Sequence, residues 1–531
     1  MVAVRHRGFD TMTHSALPLL IDDIYFGERD GLHEYMKQER LEANILDNSF
    51  VNPPKVKLQE LYTGARYIIA GPKGAGKTTL LWHLKRSAPN HQSKVILFKS
   101  QIRKEDRDRL DKMIDMVIVE DQRKFKVEAD YKTIWEWYIL KNVVRLMSPE
   151  SILSGHDIYK DIAIILEADK RKFNTLYEKM YLNSAKGQVK ISFDIGMLKT
   201  ELGAEIEARR EQGDKISLLD LVRLVQDALP SIKLKVDYPV RLYFDELEFF
   251  MSEDGDGERD RRMVRDLLFA SYTTNTICTA CGLDVVVYAS VRTELLNSIG
   301  GSTQEINKIV NAFGVVLNWY HEDVETHPVL TIFSNKIQNS EIMKVGRYSE
   351  DVWKTYFPMS VRGKGIKRYL LDIGLHRPRG VLLGIISAVG TAGERDRFTE
   401  NDFLDTEETY GAYMLEEFVD EIAATYDEPA TELIISLFRG NHYAFTRADF
   451  DGRLRKTSAT NKAAKAILER SGTDNLLKLL FRIGMIGNHF DIEEAGVPKN
   501  RQVWAVRGAT EPLLEKRFVL HQSVRKVLAT V

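Results

Sequence analysis

Cysteine is scarce in this chain of 531 residues, in which only Cys278 and Cys281 occur. Two cysteines cannot build a disulfide framework, and this low usage fits a reducing compartment. Their C-x-x-C spacing lacks both the two further ligands of a zinc site and the surroundings of a redox motif. We therefore interpret both as structural residues and expect a cytoplasmic protein.

Long apolar runs are also missing. A bilayer-spanning helix needs roughly 20 apolar residues, and the longest runs here are short pieces such as 381–386. The one apolar run near the start, residues 16–21, is followed by acids instead of a small-residue cleavage site. We expect neither a signal peptide nor a membrane partner.

An excess of charge of one sign is absent, since 75 basic residues balance 77 acidic ones. No global field therefore marks nucleic acid or membrane as the partner, and any such surface must be local. No internal repeat is apparent, which argues against a solenoid. A chain of this length predicts two to four domains.

Apolar strands alternate with helices in the first two thirds of the chain. Because these strands are apolar throughout, they predict an α/β fold with a parallel sheet covered by helices on both faces. The predicted strands lie at 66–70, 95–98, 240–244 and 284–290, and the predicted helices at 77–86, 131–147, 217–229 and 260–272. A charged helix at 103–113 and a hairpin at 187–204 are predicted inside an insertion at about 101–235.

The last third has a different pattern. It is mainly helical from about residue 331 to 424, and from 428 onward helices precede two short strands at 485–490 and 503–507, which indicates a winged helix-turn-helix. We predict four segments. They are an arm at 1–56, an ATPase domain at 57–330, a helical lid at 331–427 and a winged-helix domain at 428–531.

A phosphate-binding loop carries the strongest signal. It matches G-x-x-x-x-G-K-[ST] and lies between a predicted buried strand and a helix, the context that this motif requires. Its residues are Gly71, Pro72, Lys73, Gly74, Ala75, Gly76, Lys77, Thr78 and Thr79. The loop's backbone N–H groups and the helix N-terminus favour phosphate. We expect Lys77 to contact the β- and γ-phosphates of ATP and Thr78 to hold Mg²⁺.

An acidic pair completes the predicted site. Asp245 and Glu246 end an apolar strand, at the edge where open parallel sheets bind ligands. We expect Asp245 to orient Mg²⁺ and Glu246 to act as the general base on the attacking water. Together with the loop, these two carboxylates predict a P-loop ATPase.

Arginines and one serine are candidate sensors. Ser290 ends the next strand near the expected γ-phosphate, while Arg292 either contacts phosphate or pairs with Glu294. Arg377 and Arg379 lie at a proline-marked helix start and suit phosphate, with a surface salt bridge as the alternative. A further cluster, Arg261, Arg262 and Arg265, could supply an arginine finger to a neighbouring subunit.

These motifs resemble the bacterial STAND and AAA+-like P-loop ATPases. The resemblance rests on Tyr25-Phe-Gly27, the P-loop, the acidic pair, V-R-T-E from Val291 with Trp319 further on, H-R-P-R at 376–379 and the winged helix. Within that group the chain is most similar to a poorly characterised branch, often encoded with mobile-element or anti-phage genes, that carries the motif R-P-R-D. In this chain Gly380 stands in place of the aspartate. The resemblance implies an additional-strand catalytic-glutamate core with a helical lid, and a winged helix that either binds DNA or clamps the nucleotide state. A homo-oligomer is a further candidate partner.

We expect an ATP-driven regulatory switch that controls a partner effector protein. Residues 430–531 carry 17 basic and 10 acidic residues, but the predicted recognition helix has only Lys478 and Arg482 among leucines. Such a helix is better built to pack than to read a DNA groove. A DNA-binding ATPase of the origin-recognition or transposition-regulator type, and a nucleotide-binding scaffold without turnover, are the alternatives.

Overall fold

A computed structural model describes residues 17–41, 45–87, 92–98, 131–166, 218–247, 257–300, 304–494 and 497–530. Within it the chain divides into two compact units. Unit 1 comprises Met1–Lys55, Lys73–Gly76 and Asn318–Val531, and unit 2 comprises Val56–Pro72 and Lys77–Leu317. The predicted arm, lid and C-terminal segment thus fall into one unit, and four residues of the P-loop fall there with them.

The helices and strands are numbered here along the described parts of the chain. The helices of unit 2 are α3 (Leu58–Tyr62), α4 (Lys77–Arg86), α5 (Tyr131–Leu146), α6 (His156–Ile165), α7 (Leu218–Ala228), α8 (Gly257–Ala280), α9 (Thr293–Gly300) and α10 (Gln304–Phe313). Its strands are β1 (Ile68–Gly71), β2 (Gln92–Leu97), β3 (Ile152–Ser154), β4 (Lys233–Leu234), β5 (Val240–Leu247), β6 (Val285–Arg292) and β7 (Gly314–Val316).

Unit 1 is mainly helical. Its helices are α1 (Gly31–Leu41), α2 (Ile45–Ser49), α11 (Pro328–Val345), α12 (Val352–Tyr356), α13 (Ile366–Ile373), α14 (Pro378–Ala392), α15 (Glu400–Asp405), α16 (Glu407–Ala423), α17 (Glu428–Ser436), α18 (Arg447–Ser458), α19 (Lys462–Arg470) and α20 (Gly472–Ile483). Its strands are β8 (Ser360–Val361), β9 (Lys364–Gly365), β10 (Ala444–Phe445), β11 (Ile486–Glu494), β12 (Val497–Val503) and β13 (Arg517–Leu520).

Unit 2 is built on a five-stranded sheet in the order β2-β5-β6-β1-β7, and every pairing in it is parallel. The α/β fold with a helix-covered parallel sheet is therefore confirmed. All eight residues of β6 are buried, as expected for a central strand that lies between two helical layers. Because β6 separates the P-loop strand β1 from the acidic strand β5, the sheet has the additional strand that the resemblance implies.

Aromatic packing covers one face of this sheet. The Trp135 indole lies edge-on to Phe244, with ring centroids 6.2 Å apart, and its Nε1 donates to the Met263 carbonyl at 2.9 Å. The ring thus ties α5 to both β5 and α8. The predicted aromatic helix at 131–147 forms with its last residue outside α5, whereas α8 extends well past its predicted end at 272.

The C-terminal part of unit 1 contains α17–α20 and an antiparallel sheet in the order β10-β13-β11-β12. The polar stretch 491–501 was expected to separate two strands, and this expectation is wrong. Asp491 pairs with Asn500, so the strands continue through the stretch as hairpin arms. Both arms reach solvent there, which removes the apolar alternation that marks a strand. Residues 505–507, expected as strand, form a 3-10 turn.

The predicted helix at 103–113 and hairpin at 187–204 lie outside the described residues. No helix in the described part of the chain is both long and apolar enough to cross a membrane. The winged-helix interpretation of residues 428–531 stays a prediction.

Candidate functional site

The P-loop connects β1 to α4, whose first residue is Lys77. The Lys77 ammonium donates to the Gly71 and Pro72 carbonyl oxygens, at 3.0 Å each. These bonds fold the side chain back along its own loop. Gly74 and Gly76 have φ values of +74° and +85°, in the left-handed region that favours glycine. The glycines of the motif therefore serve the backbone path that wraps a phosphate.

Strand register brings the other candidate residues to the same edge of the sheet. Gly71 pairs with Arg292, and Val291 pairs with Leu247, so β1, β6 and β5 end at one level. Asp245 and Ser290 are both buried there, with 2% and 1% of their surface exposed. Thr78 and Thr79 are half-buried in the first turn of α4. Carboxylate and hydroxyl oxygens are the ligands that Mg²⁺ prefers.

Ser290 and Asp245 are directly bonded. The Ser290 hydroxyl donates to Asp245 Oδ1, while Asp245 Oδ2 is buried and has no hydrogen-bond partner among the described residues. A buried carboxylate oxygen without a donor is costly unless a cation or bound water satisfies it. Asp245 therefore fits Mg²⁺, either directly or through its water shell. Ser290 was predicted to sense the γ-phosphate, and in this structure its hydroxyl faces the acidic pair.

Glu246 occupies an irregular position in β5. The pairing of β5 with β6 shifts between Phe244 and Leu247, and Glu246 has a φ of +55°. A left-handed glutamate within a strand is strained, and such strain concentrates at functional sites. Its side chain is half-buried. This shift in pairing is a β-bulge, and it takes Glu246 out of the regular alternation of side chains between the two faces of the sheet.

The structure does not assign a nucleotide contact to the other candidate arginines of unit 2. Arg292 is buried at the end of β6. Glu294 accepts from the Thr293 hydroxyl through Oε1, and its Oε2 has no hydrogen-bond partner in the described part of the chain, so Arg292 does not bond that oxygen. Arg265 pairs with its neighbour Asp266 at 2.8 Å. A finger role for Arg261, Arg262 or Arg265 stays a prediction.

Cys278 is buried near the end of α8, and burial raises the pKa of its thiol to about 12. No group of three histidine, cysteine or acidic side chains among the described residues could hold a metal ion. A thiol with so high a pKa stays protonated at neutral pH, which fits the structural role expected for Cys278.

Within unit 1, the P-loop tip Lys73–Gly76 is held by donors from distant parts of the chain. The Trp319 indole Nε1 donates to the Ala75 carbonyl at 2.8 Å, and the Arg379 backbone N–H donates to the Gly74 carbonyl at 3.3 Å. Arg377 Nη1 approaches the Lys73 carbonyl at 3.4 Å. We call Trp319, Arg377 and Arg379 the tip clamp. Three consecutive carbonyls of the tip are thus engaged by three residues.

The cations around the tip face an acidic ridge on α16, defined by Glu417, Asp420 and Glu421. Lys73 pairs with Glu417 at 3.0 Å and with Asp420. Arg377 pairs with the fully buried Glu421, and Arg379 approaches Glu417 at 3.5 Å. The predicted phosphate contacts of the Arg377 and Arg379 side chains therefore compete with existing carboxylate partners.

Arg377 also reaches the C-terminal segment. Its Nη2 donates to the Ile483 carbonyl at 3.0 Å, at the end of α20. Leu476, Leu477 and Leu480 of that helix are buried, while Lys478 and Arg482 both pair with Glu511. Both basic side chains of the predicted recognition helix therefore already have a carboxylate partner within the chain.

Gly380, which replaces an aspartate of the similar branch, has a steric reason. A Cβ at this position would lie 2.3 Å from the Gly374 carbonyl oxygen. Because α14 begins in close contact with the end of α13, no side chain fits there. Glycine at position 380 thus allows close packing at the start of α14.

Sequence reasoning assigned no role to Trp319 and did not single out the acidic ridge. Both lie more than 240 residues from the P-loop tip along the chain. The one available signal was the spacing of Glu417, Asp420 and Glu421, which places three carboxylates on one face of a helix.

Comparisons with known proteins agree with the P-loop assignment. A family model described as "ABC transporter" matches residues 56–191, which contain the P-loop, and one described as "FunZ-associated C-terminal helical domain" matches residues 334–419. No curated protein sequence matches the chain. A crystal structure of Cdc6p from Pyrobaculum aerophilum aligns at 10% identity with a TM-score of 0.31, over 95% of this chain and 94% of that chain. A TM-score this low does not establish a shared fold.

The parallel sheet order, the P-loop between β1 and α4 and the match over this region lead to one conclusion. Residues of unit 2, with the P-loop tip, form a nucleotide-binding domain of the P-loop ATPase type.

Proposed function

We propose that this protein is an ATP-hydrolysing regulatory switch whose lid and C-terminal segment control a partner effector protein. The observation that carries this proposal is the membership of the P-loop tip Lys73–Gly76 in the same compact unit as residues 318–531. A loop that binds phosphates and also packs within a regulatory unit couples nucleotide to that unit's conformation.

The chemistry follows from residues of unit 2. Lys77 neutralises charge on the β- and γ-phosphates, and Glu246 accepts a proton from the attacking water. Ser290 fixes one oxygen of Asp245, leaving Oδ2 for the metal shell. Mg²⁺, held through Thr78 and Asp245 when bound, supplies charge neutralisation of the phosphates.

ATP is proposed over GTP because no N-K-x-D guanine-recognition motif stands in the sequence and because the family that the chain resembles uses ATP. The proposed setting, anti-phage defence, rests on the same resemblance. A homo-oligomer is also proposed, because Arg261, Arg262 and Arg265 could supply an arginine finger to a neighbouring subunit. The partner is proposed as a separate protein because no nuclease, protease or other effector signature stands in the sequence.

The DNA-binding alternative is disfavoured by α20. Leu476, Leu477 and Leu480 of this helix are buried, and both of its cations already pair with Glu511, which reduces what the helix offers to phosphates or bases. A non-hydrolysing scaffold is the other alternative, and it differs from a switch in turnover alone.

The test compares Mg-ATP binding by calorimetry and phosphate release for three full-length proteins. The wild type binds and hydrolyses ATP, Lys77→Ala does neither, and Glu246→Gln binds ATP but turns over about 10²- to 10⁴-fold more slowly, the range for a lost general base. Lys85→Ala is the matched control, since Lys85 lies on the same helix but stacks on the Trp82 ring.

Three results would count against the proposal. Unchanged ATP affinity in Lys77→Ala would remove the P-loop assignment. Full hydrolysis by Glu246→Gln would assign water activation to another residue, and binding without turnover in the wild type would favour the scaffold.

A further inference from the structure

The P-loop tip has an unusual distribution of its backbone hydrogen bonds. In unit 1, the carbonyl oxygens of Lys73, Gly74 and Ala75 each face a donor of the tip clamp. The one cis peptide bond among the described residues is Leu17-Pro18, so the tip peptides are trans. In a planar trans peptide the carbonyl of one residue and the N–H of the next point in opposite directions.

This peptide geometry sets the direction of three N–H groups in the P-loop tip. The N–H groups of Gly74, Ala75 and Gly76 point away from the tip clamp. Successive N–H groups that share a direction, with glycines in the left-handed region beside them, form a concave anion site. Donors that hold the carbonyls from behind therefore orient the amides that bind phosphate.

We propose that the tip clamp orients the phosphate-binding amides of the P-loop and that Trp319 is its main positioning residue. This inference rests on the proposed nucleotide-binding function and adds to it residues that the P-loop motif does not include. Trp319 acts through the Ala75 peptide and does not itself contact nucleotide.

Trp319 has the best geometry of the three donors. Its hydrogen bond is 2.8 Å long and buried, compared with 3.3 Å for the Arg379 backbone and 3.4 Å for Arg377. The indole is 6% exposed and has one N–H, so the bond to Ala75 uses all of its donor capacity. A buried bond of this kind restrains the peptide most when no water can replace the donor.

Close packing at Gly74 supports the same role. A Cβ on Gly74 would lie 2.9 Å from the Cβ of Arg379, and Gly74 has a φ of +74°. The backbone of the tip thus rests directly on the first turn of α14. The Lys73 side chain also forms ion pairs with Glu417 and Asp420, which attach the tip to α16.

The experiment removes one N–H donor and keeps the ring. Trp319→Phe in the full chain loses the bond to Ala75, and Trp353→Phe is its matched control. Trp353 is also a buried tryptophan of unit 1, and its indole donates to the Ser334 hydroxyl at 2.9 Å, away from the P-loop tip. Calorimetry measures the affinities for Mg-ATP and Mg-ADP, and thermal unfolding measures stability.

We expect Trp319→Phe to bind both nucleotides about 5- to 30-fold more weakly, the scale of one lost hydrogen bond to a buried group. ATP and ADP lose affinity by the same factor, because the cradle contacts phosphates common to both. Trp353→Phe retains wild-type affinity even where its thermal midpoint falls. Equal affinity losses in the two variants, or none in Trp319→Phe, would overturn the positioning role.

A second substitution guards against loss of packing. Replacing Trp319 by 3-benzothienylalanine exchanges the N–H for sulfur with nearly the same ring shape, and it should weaken both nucleotides as the phenylalanine does. Wild-type affinity in this protein overturns the proposal. The two proposals fail in different ways. If the wild type binds ATP, Lys77→Ala does not, and Trp319→Phe binds as the wild type does, only the clamp is refuted. If the wild type binds no ATP, the proposed function is refuted as well.

Discussion

At the scale of single residues, the buried pair of Ser290 and Asp245 lies where we propose that Mg²⁺ binds. The hydroxyl holds Asp245 Oδ1, so the carboxylate has one fixed orientation with Oδ2 left over. Groups that orient a metal ligand in this way affect metal affinity almost as strongly as the ligand itself.

Ser290→Ala should therefore raise the Mg²⁺ concentration for half-maximal ATP hydrolysis by about 10-fold, within the range for lost orienting partners. Ser271→Ala is the control, because Ser271 is also buried in unit 2 and its hydroxyl has no hydrogen-bond partner among the described residues. A titration of phosphate release against Mg²⁺ measures the effect. Identical Mg²⁺ dependence in the two variants would contradict the orienting role.

At the scale of elements, the sequence predicted helix ends correctly where residues within or next to the helix determine them. Helix α4 begins and ends at the predicted residues, since the P-loop supplies its start and Lys85 and Arg86 occupy its last turn. Helix α8 was predicted too short, because Thr273, Thr274 and Asn275 have weak helix propensity and packing against β6 overrides it. Asn275 bonds both the N–H and the carbonyl of Val287 there.

Two buried histidines, His327 and His376, lie just before the starts of α11 and α14. His327 Nε2 and His376 Nδ1 are 3.0 Å apart, and His376 and Leu375 both have left-handed φ values, of 52° and 54°. Burial lowers the pKa of His327 to about 3 and that of His376 to about 4. His521 Nε2 donates to the nearby Asp372 carbonyl at 3.0 Å, and burial lowers the pKa of this histidine to about 3.

Stability should consequently fall as the pH is lowered. The unfolded chain takes up protons on these histidines below their ordinary pKa of about 6.5, while the folded chain does so only near pH 3 to 4. Their contribution is thus complete above pH 6.5 and decreases below it, by about 2 kcal/mol for each histidine at pH 5. Thermal midpoints between pH 7 and 5 measure the slope.

His376→Asn should flatten that slope, with His33→Asn as the control because His33 is not buried. The charged neighbours Asp372, Arg368 and Arg507 stay in place in both variants. An unchanged slope in His376→Asn would show that His376 does not contribute to acid destabilisation.

At the scale of the whole molecule, sequence reasoning predicted the P-loop and the parallel sheet but not the way in which distant segments meet. The P-loop and the acidic pair are local motifs, and the parallel sheet follows from apolar strands alternating with helices. In contrast, Trp319, Arg377 and the acidic ridge meet the P-loop tip across more than 240 residues. No spacing rule reports a contact of that range, because it depends on how the helices of unit 1 pack.

Arg377 links three parts of unit 1, namely the Lys73 carbonyl, Glu421 of α16 and the Ile483 carbonyl at the end of α20. Phe418 and His521 pack edge to face nearby, with centroids 6.3 Å apart. A change at the P-loop tip therefore has a short route to the C-terminal segment.

The most direct test of the switch is amide hydrogen exchange with and without a non-hydrolysable ATP analogue and Mg²⁺. In the wild type we expect altered protection in peptides that cover the end of α20 and β13, as well as at the P-loop, because the tip belongs to the same unit. Lys77→Ala should show neither change. Nucleotide-dependent protection confined to residues 56–317, with α20 and β13 unaffected, would contradict the proposed control of the C-terminal segment by ATP.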